Sequence, residues 1–213
     1  FKGLDSNGFP TFINEDGELT STDINFQENN NIGHLKYEGS IDPKVTGGFD
    51  NGFTYKNWKM NVYFTYQFGN VIRLYPEFSA VYSDMSAMPK EMKNRWMQAG
   101  NEKYTDVPGI PSKRQVSNIE NLNVAYNAYN YSDARVANGS FIRLKEISLS
   151  YDFKGNWMKA VGMNNLQLRC VASNLWLIYS DKKLNGQDPE FFRSGGVAMP
   201  TPRQFTLSVR TSF

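Results

Sequence analysis

The sequence predicts an all-β chain built on an antiparallel sheet, and two observations carry that prediction. Five segments alternate apolar and polar residues with a period of two, the repeat of a strand that has one greasy and one wet face. Aromatic residues make up 15% of the chain and there are 17 glycines, a balance that favours strands and turns over helices. Such strands suit a soluble sandwich or a transmembrane barrel, whose strands of about 9 to 11 residues cross lipid at roughly 45°. A mean hydropathy of −0.54 is compatible with either, because a barrel strand hides only alternate residues in lipid.

Residues 1–45 read as a loop. The runs LDSNGFP and NEDGEL (Asp5, Asn7, Glu15, Asp16) supply Asx-Gly turns and lack both the ligand spacing and the closing bidentate Glu of a calcium loop. In TGGFDNGFTYK, Phe49, Phe53 and Tyr55 oppose Gly48, Asp50, Gly52 and Thr54. The chain then reverses through Lys56-Asn57 into WKMNVYFTYQFG, where Trp58, Met60, Val62, Phe64, Tyr66 and Phe68 share one parity, so residues 46–69 form a tight hairpin. FIRLKEISLSYDF sets Ile147, Leu149, Tyr151 and Phe153 against Ser148, Ser150 and Asp152. Arg143 and Lys145 fall on its greasy parity and are expected at the level of lipid headgroups.

In LQLRCVASNLWLIY the register of Leu166, Leu168, Cys170 and Ala172 slips at Ser173-Asn174, which marks a β-bulge at Asn174. The closing RQFTLSVRTSF places Phe205, Leu207, Val209 and Phe213 on one parity and Gln204, Thr206, Ser208 and Arg210 on the other. Connections at 56–57 and 154–163 are short. Those at 76–140 and 181–202 are long and rich in Pro, Gly, Asn and Asp, which is unusual in a compact domain and ordinary for the outer loops of a barrel.

Several function classes fall away on composition. With 23 basic and 21 acidic residues there is no electrostatic case for nucleic acid. A single cysteine, Cys170, and a single histidine, His34, exclude an internal disulfide and a Cys/His zinc cluster, and they make a Cys-His or Ser-His pair improbable. Cys170 is expected simply to pack. Asp188 and Glu190 flank Pro189, but with no apolar pocket in view they make a weak acid/base pair for glycoside hydrolysis. No catalytic residue, metal ligand or cofactor site is therefore expected. The opening FKGLDSNGFPTF lacks the basic and apolar regions of a signal peptide.

The segments GGFDNGFTYKNWKMNVYFTYQFG (47–69), NGSFIRLKEISLSYDF (138–153), NLQLRCVASNLWLIYS with GQDPE (165–190) and MPTPRQFTLSVRTSF (199–213) together resemble, in the same order, the C-terminal end of SusC/RagA-like TonB-dependent outer-membrane transporters. GLDSNGFPTFINEDGEL resembles the outer loop that precedes this end. In the long loop, RWMQAGN keeps Arg95, Trp96 and Gly100 of the family's Arg-Trp-x-x-Pro-Gly-Asp stretch but has Ala99 and Asn101 in place of its Pro and Asp. LIYSDKKLNGQDPE departs from the family's Thr/Tyr-rich approach to Asp-Pro-Glu.

The resemblance implies an all-β fold: an antiparallel transmembrane β-barrel segment, about five C-terminal strands of a 22-stranded barrel, with long extracellular loops and no plug within residues 1–213. It implies energised import of glycan oligomers or peptides across a Gram-negative outer membrane. The expected partners are the rest of the barrel and its plug, a SusD-like surface lipoprotein, TonB acting through the plug, and outer-membrane lipid. Phe213 is the expected assembly signal. Met60, Val62, Phe64, Phe205, Leu207 and Val209 are expected to face lipid, and Asn61, Gln67, Ser208 and Arg210 the lumen.

In the long loop, Trp96, Tyr104, Tyr126, Tyr129 and Tyr131 are candidates for contact with substrate or lipoprotein lid, or for packing the loop onto itself. Five strands alone leave two edges unpaired in lipid, so the 213 residues are expected to be the C-terminal part of a longer polypeptide. The alternative is a soluble secreted β-sandwich that binds glycans on an aromatic face.

Overall fold

The computed structural model describes residues 1–24, 32–85, 87–192 and 199–212; Phe213, the expected assembly signal, lies outside them. In chain order the strands are β1 (Phe12–Ile13), β2 (Leu19–Thr20), β3 (Val45–Tyr55), β4 (Trp58–Phe68), β5 (Val71–Arg73), β6 (Val136–Asn138), β7 (Phe141–Phe153), β8 (Asn165–Tyr179) and β9 (Gln204–Ser212). The helices are α1 (Lys113–Asn118), α2 (Leu122–Tyr131) and α3 (Asn156–Ala160). The chain forms two compact units, Phe1–Glu38 with Arg73–Ala137 and Gly39–Ile72 with Asn138–Phe213.

The second unit is an antiparallel sheet of five strands in the order β3-β4-β7-β8-β9. Each strand pairs with its neighbour over most of its length, as the shared period of two requires. β3 and β4 join through Lys56-Asn57, where Lys56 takes the left-handed conformation at φ 52°. The Asn57 carbonyl accepts from the Asp152 amide at 2.9 Å and ties this turn to the neighbouring strand. β7 and β8 join at the same end of the sheet through a connection that contains α3. The long connections leave from the opposite end.

Irregularities in the pairing decide which way side chains point, and besides a shift between Ile142–Tyr179 and Arg143–Leu177 there are two bulges. Between β7 and β8, Glu146 pairs with Ser173 and Leu144 with Trp176, and Asn174 sits in the left-handed region at φ 56°, so the bulge expected at Asn174 is present. The pairing of β7 with β4 also shifts, from Tyr63–Glu146 to Phe64–Leu144, which leaves Lys145 as the extra residue. This second bulge overturns the parity read for Arg143. Ahead of Lys145 the faces of β7 exchange, so Arg143, opposite Thr65, joins the polar face instead of the headgroup level.

The first unit carries its own core. Phe9, Phe12, Phe78, Ala80, Met92, Leu122, Tyr126 and Tyr129 form one buried cluster. The 76–140 connection is thus folded rather than irregular, and its two helices have local causes. Ser112 caps α1, accepting from the Gln115 amide while Gln115 accepts from the Ser112 amide in a capping box. α2 buries Leu122, Ala125, Tyr126, Tyr129 and Asn130, a stripe at helical spacing. Asn130 closes onto Phe78 with both amide atoms, at 2.7 and 3.0 Å. Arg135 is buried beside them, bonded to Glu91 and to the Tyr75 carbonyl, with its guanidinium 4.8 Å from the Phe78 ring. A charge so buried stays only because it is paired.

Candidate functional site

The sheet register sorts every strand residue to one of two faces. On one face, cross-strand rows run Phe53–Met60–Leu149–Cys170–Leu207, Asn51–Val62–Ile147–Ala172–Phe205 and Tyr55–Trp58–Tyr151–Leu168–Val209, with Phe49, Phe64 and Leu144 forming a fourth. Met60, Val62, Phe64, Phe205, Leu207 and Val209 therefore share a face. Their neighbours across the strands are apolar almost throughout. Phe49 is 56% exposed, Leu207 66% and Phe205 76%, so a five-strand-wide apolar surface is left uncovered by the described residues. Cys170, expected simply to pack, lies exposed on this surface among the described residues. At the short-turn end the surface becomes aromatic: Trp58 and Tyr151 lie 4.6 Å apart, Tyr151 and Phe153 4.8 Å, and Phe153 and Trp157 6.4 Å.

The other face is polar. Its rows include Thr54–Lys59–Ser150–Arg169–Ser208 and Gly52–Asn61–Ser148–Val171–Thr206, with Gln167 and Arg210 paired beside them. Lys59 bridges Asp152 at 2.8 Å, Gln167 donates to Asp152 at 2.7 Å, and Asn61 donates to Asp50 at 2.6 Å. Asn61, Gln67, Ser208 and Arg210 all belong here. Arg143, mostly buried, meets Asp188 at 2.5 and 2.6 Å, and Glu190 approaches its Nε to 3.3 Å. Asp188 is therefore committed to this guanidinium with Glu190 only alongside it, a pairing that sequence reasoning missed because the bulge hides Arg143's true face.

In the loop unit the five candidate aromatics separate. Tyr126 and Tyr129 are core residues, at 1% and 3% exposure, and offer no ring face to a ligand. Burial pushes both phenols well above their ordinary pKa, and Tyr126 donates its hydroxyl proton to the Gly109 carbonyl. Trp96 is half-buried and serves as a staple. Its ring lies against Gly8 and Gly109, the Gly109 amide bonds the Gly8 carbonyl at 3.0 Å, and its indole N–H reaches Glu102 at 3.1 Å. Tyr104, at 88% exposure, and Tyr131, at 56%, remain on the surface; the Tyr131 ring lies 6.0 Å from the Arg73 guanidinium.

Turn chemistry accounts for Asp5, one of the polar residues weighed as calcium ligands. Asp5 accepts from the Asn7 and Phe9 amides, each at 2.8 Å. The RWMQAGN turn closes despite its altered residues: Gly100 is left-handed at φ 98°, and the Asn101 side-chain oxygen accepts from the Met97 and Gln98 amides, each at 3.2 Å.

No family model matches the sequence. Among curated proteins, the TonB-dependent receptors P3, P39 and P26 of Formosa agariphila are 27%, 26% and 26% identical to it over 155, 197 and 187 residues. These matches cover 73%, 85% and 82% of this chain. The chain spans only 14% to 17% of those relatives' length. Solved structures of the RagAB peptide importer in its open-open state and of the RagAB peptide transporter match 99% of this chain at TM-scores of 0.63 and 0.65, with 20% and 21% identity. They are covered over 21% and 22% of their own length. The chain is similar in sequence to TonB-dependent receptors over a fragment of their length, and its fold resembles the matching part of the RagAB structures.

Proposed function

We propose that these residues form part of the barrel wall of an outer-membrane nutrient importer, about five C-terminal strands of a 22-stranded barrel. One observation carries the reading: an apolar face runs unbroken across five strands, backed by a polar one, while β3 and β9 stand as the outer strands of the sheet. Lipid outside and a wet lumen inside match that division, and further strands of the same protein satisfy the two edges. A plug worked by TonB and a SusD-like surface lipoprotein complete the machine. The aromatic cluster at the short-turn end then sits at the periplasmic interface, and residues 1–45 and 76–140 serve as extracellular loops. Phe213 serves as the assembly signal. Peptides are favoured over glycan oligomers as cargo, because the matching solved structures are those of peptide importers.

The paired substitutions Val209→Arg and Ser208→Arg test this in the full-length protein. Arginine on the lipid side costs up to about 2–4 kcal/mol at the midplane and less toward the interface, and on the lumen side little. Val209→Arg should deplete the folded, heat-modifiable form in outer membranes while Ser208→Arg leaves it near normal; equal effects would overturn the assignment of faces.

A further inference from the structure

Outer loops that carry no other duty project into solvent, but the segment from Asp181 to Phe192 turns back onto the polar face of the sheet. Its root is held by Asp181, which accepts from the Asn138 amide at 2.7 Å and from the Lys183 amide at 2.9 Å. Leu184 is 1% exposed and Phe192 8%, so the segment has buried contacts of its own. Its far end is fixed by Arg143, a polar-face residue of β7. Arg143 and Asp188 side chains are 7% and 8% exposed, an ion pair drawn out of water. Arg143 donates to both Asp188 oxygens through a single terminal nitrogen and stacks 5.6 Å from the Phe141 ring. Among the described residues its buried Nε has no hydrogen-bond partner, although Glu190 pairs with it electrostatically at 3.3 Å. Without Asp188 this buried guanidinium keeps only the half-exposed Glu190 as counter-charge and loses its hydrogen bonds to the loop, so the loop and the strand depend on each other.

We propose that the Arg143–Asp188 pair latches the loop Asp181–Phe192 against the inside of the wall, making it a fixed inner lining that narrows the outer mouth of the import path and turns Gln187 and Glu190 toward passing cargo. The inference rests on the polar face being the lumen. The latch belongs chiefly to Asp188; Glu190, half exposed, lies where cargo passes.

The test uses the full-length protein in outer-membrane vesicles, with Cys170→Ser as background and Gln187→Cys as reporter, probed with a small membrane-impermeant maleimide and a polymer-linked one. With the latch intact the small reagent labels position 187 and the polymer-linked one is slow. Asp188→Asn and Arg143→Met should each raise the polymer-linked rate about tenfold, an opening worth about 1.4 kcal/mol, and Glu190→Gln should leave it within about twofold. Variants are scored only in the heat-modifiable folded fraction, and Asp188→Asn, which keeps the arginine, stands if Arg143→Met does not assemble. An unchanged polymer-linked rate in folded Asp188→Asn overturns the latch. Ser208→Cys and Val209→Cys run alongside: labelling of Ser208→Cys with protection of Val209→Cys upholds the lumen assignment, and equal labelling overturns that assignment whatever position 187 does.

Discussion

A methyl group at position 8 has nowhere to go. Gly8 holds φ at +80°, and a Cβ there would strike the Trp96 indole, so Gly8→Ala combines backbone strain with overpacking. We expect it to destabilise the loop unit by about 1–3 kcal/mol while leaving the sheet intact; the check is faster limited proteolysis of residues 73–137 with unchanged heat-modifiable migration. Glu102 on the other side of Trp96 adds a pH dependence. Its carboxyl is held below the ordinary range by the hydrogen bond from its own backbone and then by the indole N–H. A depressed folded value means the contact stabilises the loop above the unfolded carboxylate range of about 4.3 and is lost as pH falls through the lower folded value. Acidification should therefore shift the Trp96 fluorescence in the wild-type protein, and Glu102→Gln should remove that component of the titration.

Bulges do at the level of the strand what a single residue cannot, since each one exchanges the faces of everything beyond it. Asn174 tolerates its left-handed φ of 56° because a short polar side chain can; a β-branched residue cannot do so cheaply. Asn174→Val should cost about 1–3 kcal/mol, and Asn174→Gly close to nothing, in denaturant titrations of the refolded full-length protein in lipid vesicles. The Asn174 bulge was legible because its run of apolar residues visibly changes parity. The one at Lys145 was not: Arg143 and Lys145 looked like two cations on a greasy face, and only pairing with β4 shows the step. The helix α2 escaped notice for another reason. Leu122, Ala125, Tyr126 and Tyr129 stand at helical spacing, but the surrounding Asn and Tyr residues read as loop chemistry, and tyrosines valued as stacking platforms turned out to be its buried stripe.

Across the whole molecule, the fold was legible wherever a strand obeyed strict alternation, since that pattern alone sets the face of each residue in β3, β4 and β9. What alternation cannot convey is how a connection folds back, which is why the loop core, the Trp96 staple and the Arg143–Asp188 pair emerged only from the structure. The central claim is that the apolar face meets lipid and the polar face meets water. Spin labels placed singly from Gln204 to Ser212 of the full-length protein, in a cysteine-free background, test it most directly through collision with dissolved oxygen and with a water-soluble nickel chelate. Oxygen accessibility should peak at Phe205, Leu207 and Val209, and nickel accessibility at Thr206, Ser208 and Arg210, with a period of two. Nickel accessibility that is high at all positions, or an alternation of the opposite phase, would contradict a wall with lipid on one side and water on the other.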